Sequence, residues 1–236
     1  ETEKISAMIK GRSFDEEGYL ILVTKNGTVK RMEHSLLKNI RTIGIRAITL
    51  EEDDELVSVI STSGNENILI ASYNGLAVCF NEEDIRSMGR TAIGVRGMKL
   101  KDGDRIVGAV STSTGGTVLT ITEKGYGKRT DPDEYTVHFR GGLGMKNYNV
   151  TEKTGNLAGI LMVDKEDDIM IITDDGTIIR VPANGISIVG RATQGVRVMK
   201  LNAGNKVISI EKTEKEENES NVSEESDLEI KEEIQE

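Results

Sequence analysis

The feature that most constrains the fold is a repeat with a period of about fifty residues. One set of glycines closes short polar turn phrases at spacings of 48, 50 and 51 residues: Gly27, Gly75, Gly125 and Gly176. A second set stands between basic residues at spacings of 50, 50 and 51: Gly44, Gly94, Gly144 and Gly195. Because two independent markers share one period, the chain is predicted to consist of four similar units.

Each unit is predicted to contain four strands. The first is a short run rich in β-branched residues, which favours a strand: 19–24, 67–72, 117–122 and 168–173. An Asn-Gly or Asp-Gly type of turn then indicates a hairpin. A third strand should follow the arginine–glycine phrase, and a fourth should follow a tight acidic turn: 55–60, 105–110, 156–161 and 206–211. A further copy of the fourth strand is predicted at 4–9.

A small residue recurs at one position of the fourth strand, which suggests crowding by neighbouring backbones near an axis. The residues are Ala7, Ser58, Gly108, Gly159 and Ser209. The alternative is that small residues are simply common in strands. Four-stranded units of this length are typical of propeller blades, which bury their faces by stacking on one another. The sequence therefore predicts an all-β, propeller-like disc of about four blades, and leaves open whether they close into a ring.

Composition excludes several other classes of protein. No apolar run reaches the roughly 18 residues of a membrane span, and the lone Cys79 fits a reducing cytoplasm and rules out an internal disulfide framework. With His34 and His138 as the other soft ligands, no zinc spacing exists. Residues 211–236 hold 12 of the 40 acidic and 3 of the 30 basic residues, so 1–210 is nearly neutral. We expect a folded domain over 1–210 and a disordered acidic tail over 211–236.

Basic residues recur in two registers. The first register flanks the second set of glycines: Arg41, Arg46, Arg90, Arg96, Arg140, Lys146, Arg191 and Arg197. The second follows the hairpin turn: Lys30, Arg31, Lys128, Arg129 and Arg180. The second unit breaks this pattern with Val78 and Cys79. Repeated around a disc, such cations would form a curved row suited to the phosphates of duplex DNA, and glycine beside them would let the backbone approach a phosphate. The competing interpretation is that these cations solubilise strands, pair with Asp and Glu, or join blades.

Three phrases resemble the C-terminal domain of the A protein of DNA gyrase (gyrase A): 87–100, 125–130 and 185–196. The resemblance covers 4–210 and implies a β-pinwheel whose blades exchange strands and whose basic rim binds, bends and wraps double-stranded DNA without reading its sequence. It also implies a bacterial, cytoplasmic, nucleoid-associated protein that partners the N-terminal domain of gyrase A and the gyrase B protein in ATP-dependent negative supercoiling. No cofactor is expected in this chain, because ATP and Mg²⁺ act elsewhere in the holoenzyme, and no membrane is involved.

The family's box of Gln-Arg-Arg-Gly-Gly-Lys-Gly is absent, and its nearest echo is 139–144, with Leu143 in place of the lysine. We therefore expect the later blades of a longer domain of up to six blades. Two alternatives remain: the related C-terminal domain of the topoisomerase IV A protein, used to dock DNA, and a propeller that binds protein partners. A catalytic role is disfavoured, since no cluster of His, Cys or carboxylates converges.

Overall fold

The computed structural model describes residue 8, residues 17–38, residue 40 and residues 42–213. Arg41, the acidic tail from residue 214 and all of the predicted strand at 4–9 except Met8 lie outside this part of the chain. The described residues form four small sheets, which confirms the all-β prediction. None of their helices is long and apolar enough to cross a membrane.

Every unit begins with an antiparallel hairpin, as the sequence predicts. Its first strands are β1 (Tyr19–Thr24), β4 (Asn67–Ser72), β8 (Thr117–Thr122) and β12 (Asp168–Thr173). Its second strands are β2 (Thr28–Glu33), β5 (Leu76–Asn81), β9 (Tyr126–Thr130) and β13 (Ile178–Pro182). The turn glycines adopt φ values between +75° and +86°. This left-handed conformation is unfavourable for residues with a Cβ, which explains why each turn keeps glycine.

The predicted fourth strand of each unit is the innermost strand of its sheet. These strands are β3 (Leu56–Thr62), β7 (Ile106–Ser111), β11 (Leu157–Val163) and β15 (Val207–Thr213). All four line one axial channel of about 370 Å³. Because β15 continues to Thr213, the predicted start of the tail at residue 211 falls inside a strand.

Crowding at the axis explains the small residues of the inner strands. A Cβ added to Gly108 would lie 2.9 Å from Cγ2 of Ile160, on the next inner strand. A Cβ on Gly159 would lie 2.7 Å from Cγ1 of Ile210, one blade further on. The prediction that this position faces a neighbouring blade is therefore confirmed for these two residues.

The outermost strand of each complete sheet comes from the following unit. These two-residue strands are β6 (Val95–Arg96), β10 (Met145–Lys146) and β14 (Val196–Arg197). They extend the sheets to the orders β3-β1-β2-β6, β10-β5-β4-β7 and β11-β8-β9-β14, whereas the fourth sheet has the three strands β13-β12-β15. The third strand predicted for the first unit does not form, because the described residues hold no earlier hairpin to pair with it.

Hydrophobic residues pack between successive sheets rather than in one central core. Ile21 and Val29 of the first sheet pack against Ile68 and Phe80 of the second. Similar clusters lie between the second and third sheets and between the third and fourth. Because both faces of an inner sheet are covered, the middle strands are buried except at their ends, as in β4 and β8.

Short 3-10 turns follow the second strand of each unit, and a fifth joins the inner strand β7 to β8. They span His34–Leu37, Glu82–Asp84, Thr112–Thr114, Pro132–Glu134 and Ala183–Gly185. Three of them begin with side-chain caps, from Asn81, Ser111 and Asp131. After three of the turns a buried residue anchors the chain: Ile85, Tyr135 and Ile186. The chain then forms single parallel bridges beside the preceding hairpin before it reaches the outer strand.

Candidate nucleic-acid interface

The trailing cations, Arg96, Lys146 and Arg197, occupy one equivalent position on three blades. Each lies in an outer strand and is exposed. Their Cα partners on the preceding hairpins are Thr28, Leu76 and Tyr126. The third unit, whose sequence has Lys146 where the other units have arginine, thus places its cation at the same position. Arg46, the fourth member of this predicted set, is exposed but lies outside any strand.

The leading arginines, Arg90, Arg140 and Arg191, precede the outer strands and differ in their surroundings. Arg90 is exposed, while Arg140 and Arg191 are half-buried. Arg140 donates from Nε to the carbonyl of Asp84 at 3.1 Å and from Nη1 to that of Arg96 at 2.9 Å. Arg191 repeats this arrangement on the carbonyls of Glu134 and Lys146. Arg41 lies outside the described residues.

Neither the trailing cations nor the leading arginines are neutralised by carboxylates. Within residues 42–213 no ion pair involves any of these six residues or Arg46. Ion pairs of the described residues lie elsewhere, as between Lys25 and Glu55. The interpretation as ion-pair partners of Asp and Glu therefore does not hold for these seven residues. The trailing cations are exposed, whereas Arg140 and Arg191 are already bonded to backbone carbonyls.

The second register requires a correction, because Lys30 and Lys128 are fully buried rather than on the rim. Lys30 Nζ donates to the carbonyls of Ala47, Arg90 and Ala92 at 2.7, 2.7 and 3.1 Å. Lys128 Nζ donates to the carbonyls of Gly190 and Arg191 and to Oγ1 of Thr130. Burial lowers the pKa of both lysines to about 8. Each lysine thus holds the loop that carries a leading arginine of the next unit.

The arginines of the second register are also tied into the fold. Arg31 pairs with the fully buried Glu82 at 3.0 Å and lies 3.6 Å from the centroid of the Tyr19 ring. Arg129 is buried, donates to the carbonyl of Ile186 at 2.8 Å and has its pKa lowered by that burial. Arg180, which is half-buried, pairs with Asp168 at 2.7 Å. The prediction that Arg31 and Arg129 present charge on the rim is wrong; these side chains bind backbone and carboxylate inside the blades.

The same positions in the second unit carry no charge. Val78 and Cys79 are buried there among apolar side chains, and burial raises the pKa of the Cys79 thiol to about 11. The second unit thus departs from the pattern in the structure as it does in the sequence. A thiol with a raised pKa is mostly protonated at neutral pH, in keeping with a packing role.

The rim glycines allow strand exchange, whereas the close approach to a phosphate that the sequence suggested stays a prediction. A Cβ on Gly94, Gly144 or Gly195 would lie 2.3–2.5 Å from a carbonyl oxygen of the preceding hairpin. Those oxygens belong to Val29, Ala77 and Gly127. Glycine at this point lets the outer strand reach its partner, and so places the trailing cation two residues later.

An open groove of about 1000 Å³ beside the third blade adds basic residues that sequence reasoning missed. Its lining includes Lys124, Lys153 and Arg197 around Tyr126. Arg197 Nη2 donates to the Tyr126 hydroxyl at 2.8 Å and, as the main cause, lowers the pKa of that hydroxyl. Lys153 lies 5.5 Å from the centroid of the same ring. Arg197 was predicted from the repeat, whereas Lys124 and Lys153 have no basic counterpart in the other units and could not be found from it.

The fold and the site define a class: propeller-type domains whose blades exchange strands and whose rim carries unpaired cations. The sequence profile described as DNA gyrase C-terminal domain, beta-propeller, matches residues 18–63, 66–113, 116–164 and 167–214, one match for each unit. The chain belongs to this family.

Relatives of known name agree with this assignment. The gyrase A protein of Clostridium acetobutylicum is 48% identical over 217 residues, which cover 92% of this chain and 26% of the relative. That of Staphylococcus epidermidis is 44% identical over 217 residues, covering 91% and 24%. That of Salmonella typhimurium is 37% identical over 210 residues, covering 89% and 24%. The chain spans about a quarter of the length of these relatives.

Solved structures share the fold. The structure titled "Structure of DNA gyrase A C-terminal domain" superimposes with a TM-score of 0.78 and 28% identity, covering 86% of this chain and 68% of that one. The C-terminal domain of DNA topoisomerase IV gives a TM-score of 0.80 and 29% identity, covering 87% and 65%. The expected β-pinwheel with exchanged strands is therefore confirmed.

Proposed function

We propose that this domain binds duplex DNA along its rim, bends it and wraps it, as the C-terminal part of a gyrase A protein. The observation that carries the proposal is the register of Arg96, Lys146 and Arg197, exposed at one equivalent position on successive blades without a carboxylate partner. Family membership supports the same partner. In the holoenzyme the wrap would present DNA to the N-terminal part of gyrase A and to gyrase B for ATP-dependent supercoiling.

Binding of this kind should depend on charge rather than on base sequence. Each phosphate that a cation neutralises contributes about −0.9 to the slope of log affinity against log salt. Bending a site of 20–30 base pairs by 40–90° costs on the order of 1–6 kcal/mol, which contacts spread along the rim must offset. Histones offset the cost of bending DNA in a similar way, with arginines that make no base-specific contacts.

The experiment measures affinity for a random-sequence duplex at several salt concentrations. Replacing Arg96, Lys146 or Arg197 by alanine should lower affinity and reduce the slope by about 0.9 per substitution. Lys165→Ala is the matched control, because this lysine is 79% exposed in the turn between β11 and β12, away from the outer strands. A slope that responds equally to Lys165→Ala would refute binding at the rim.

Wrapping is tested separately from binding. A nicked circle is religated with the protein bound, and the linking number of the product is measured after the protein is removed. Chiral wrapping shifts the linking number in proportion to bound protein. Binding without a shift in linking number would instead favour a surface that docks DNA without wrapping it, as in the alternative of a topoisomerase IV domain.

A further inference from the structure

Exposed apolar side chains concentrate in the same segments that carry the rim cations. Of the 13 large hydrophobic residues exposed in the described part of the chain, 9 lie between the end of a unit's second strand and that unit's cation at 46, 96, 146 or 197. They are Leu36, Ile40, Ile43, Ile93, Val137, Phe139, Leu143, Ile188 and Val196. Isolated exposed apolar residues are ordinary, but repeated clustering on one surface indicates a binding function.

Three of these residues, here called the apolar rim residues, lie within a few positions of a leading arginine or a trailing cation in the sequence. They are Ile93, Phe139 and Leu143, with exposed fractions of 44%, 83% and 46%. Ile93 and Leu143 come directly before the rim glycines 94 and 144, whose backbone presses against the preceding hairpin. Their position is therefore fixed by strand exchange, and they still face solvent.

Phe139 is the most exposed of the apolar rim residues, and its neighbour is firmly held. Arg140, the next residue, binds the carbonyls of Asp84 and Arg96. The aromatic ring thus projects from an anchored stretch of backbone. Burial of a large aromatic side chain against a partner is favourable, so an exposed phenylalanine is suited to binding.

The surrounding charge selects duplex DNA as that partner. Cations adjoin all three apolar rim residues in the sequence: Ile93 lies between Arg90 and Arg96, Leu143 lies between Arg140 and Lys146, and Phe139 directly precedes Arg140. Since no described carboxylate pairs with them, a polyanion would satisfy the cations while it covers the apolar groups. Proteins that bend DNA insert Phe, Leu or Ile between base steps and kink the duplex.

We propose that Ile93, Phe139 and Leu143 are wedges that enter the minor groove of the bound duplex and unstack base steps where it bends around the rim. This inference rests on the proposed function and adds a contact that charge alone does not provide. The wedges favour flexible pyrimidine–purine steps such as TA, because these unstack most easily. Gln194 holds the equivalent position in the fourth unit, so that unit contributes charge without a wedge.

The test uses a duplex of about 40 base pairs with 2-aminopurine in its TA steps, where unstacking raises fluorescence. The full chain should increase the signal on binding. The triple variant Ile93→Ala, Phe139→Ala, Leu143→Ala should lose that increase and bind about tenfold more weakly, in line with the loss of stacking contacts, while its salt slope stays unchanged. Ile208→Ala, which truncates a residue 59% exposed on the inner strand β15, is the control and should behave like the parent.

The outcomes separate this inference from the proposed function. If the parent shows no salt-dependent binding, the proposed function fails. If it binds with a steep salt slope but the fluorescence does not rise, or the triple variant matches the parent, the wedges are refuted and rim binding stands. Weaker association of the triple variant with the rest of gyrase A, together with unchanged DNA binding, would also overturn the inference and assign the surface to protein. Thermal unfolding followed by circular dichroism confirms that each variant is folded.

Discussion

Arg140 Nη1 donates a hydrogen bond of 2.9 Å to the backbone carbonyl of Arg96, the trailing cation of the preceding unit. Arg191 makes the same contact with the carbonyl of Lys146. Each of these two leading arginines therefore fixes the backbone beneath an exposed cation one blade earlier. The two basic residues of one repeat phrase differ in role: one is bonded into the fold, and the other is available to a ligand.

Replacing Arg140 by alanine should destabilise the domain, whereas replacing Arg96 should not. The substitution at 140 removes charge-assisted hydrogen bonds to two carbonyls, and hydrogen bonds to charged groups contribute about 1.5–3 kcal/mol each. The free energy of unfolding, measured in urea, should fall by about 1.5–3 kcal/mol in total. Arg96→Ala should leave it within about 0.5 kcal/mol, as expected at an exposed site. Equal stability of the two variants would contradict this division of roles.

Lys128→Val should alter the position of a loop, not remove a phosphate contact. Valine fits because the second blade already has Val78 at the equivalent buried position. Without the ammonium, the carbonyls of Gly190 and Arg191 lose their donor. Amide hydrogen exchange should quicken in 187–195, and DNA affinity should fall with an unchanged salt slope. A drop in slope of about 0.9 would instead show that Lys128 touches a phosphate directly.

The hairpins could be predicted from the sequence because their signals are local. A β-branched run and an Asn-Gly turn, as at 19–27, specify a hairpin without reference to the rest of the chain. Strand exchange depends on residues far apart in the sequence. Val95 and Arg96 pair with the preceding hairpin, and the identity of these two residues does not indicate which strand they pair with. The exchange was implied by the family resemblance alone.

The burial of Lys30 and Lys128 could not be deduced from the hairpin pattern for a related reason. A basic residue in a strand usually faces water, and the repeat supplied only its register. Lys128 lies in a sheet with blades packed on both faces, so its ammonium must bond inside. Lys30 lies in the first described sheet and is covered by loops that contribute the carbonyls of Ala47, Arg90 and Ala92. The trailing cations were predicted correctly as exposed because the outer strand lies at the edge of this stack.

Stability should rise between about pH 8 and pH 10. Burial lowers the pKa of Lys30 and Lys128 from 10.5 to about 8, so in this window the unfolded chain binds more protons than the folded one. Above pH 10 the trend should reverse, because burial raises the pKa of Tyr135 and Tyr148 and favours their protonated, folded forms. Urea unfolding at a series of pH values measures the effect.

The matched control for this pH dependence is Lys128→Val. It removes one of the two buried lysines, so the rise between pH 8 and pH 10 should shrink and not disappear. A stability that is flat across this range in the parent would show that both lysines keep their ordinary affinity for protons.

Gly144→Ala should disrupt strand exchange, and Gly44→Ala offers a control with the same backbone strain. The two glycines have φ values of +83° and +77°, so a left-handed alanine costs about 1–2 kcal/mol at either position. At Gly144 the new Cβ would also lie 2.4 Å from the carbonyl oxygen of Ala77, whereas at Gly44 nothing lies within 4 Å. The backbone at 144 must therefore move away from β5.

We expect Gly144→Ala to lower the free energy of unfolding by clearly more than Gly44→Ala does. Faster amide exchange should be confined to β10 and the adjoining edge of β5. DNA affinity should also fall, because Lys146 loses its fixed position, although no charge has been removed. Similar losses of stability in the two variants would mean that backbone strain accounts for the whole effect and that contact between blades does not require glycine at this point.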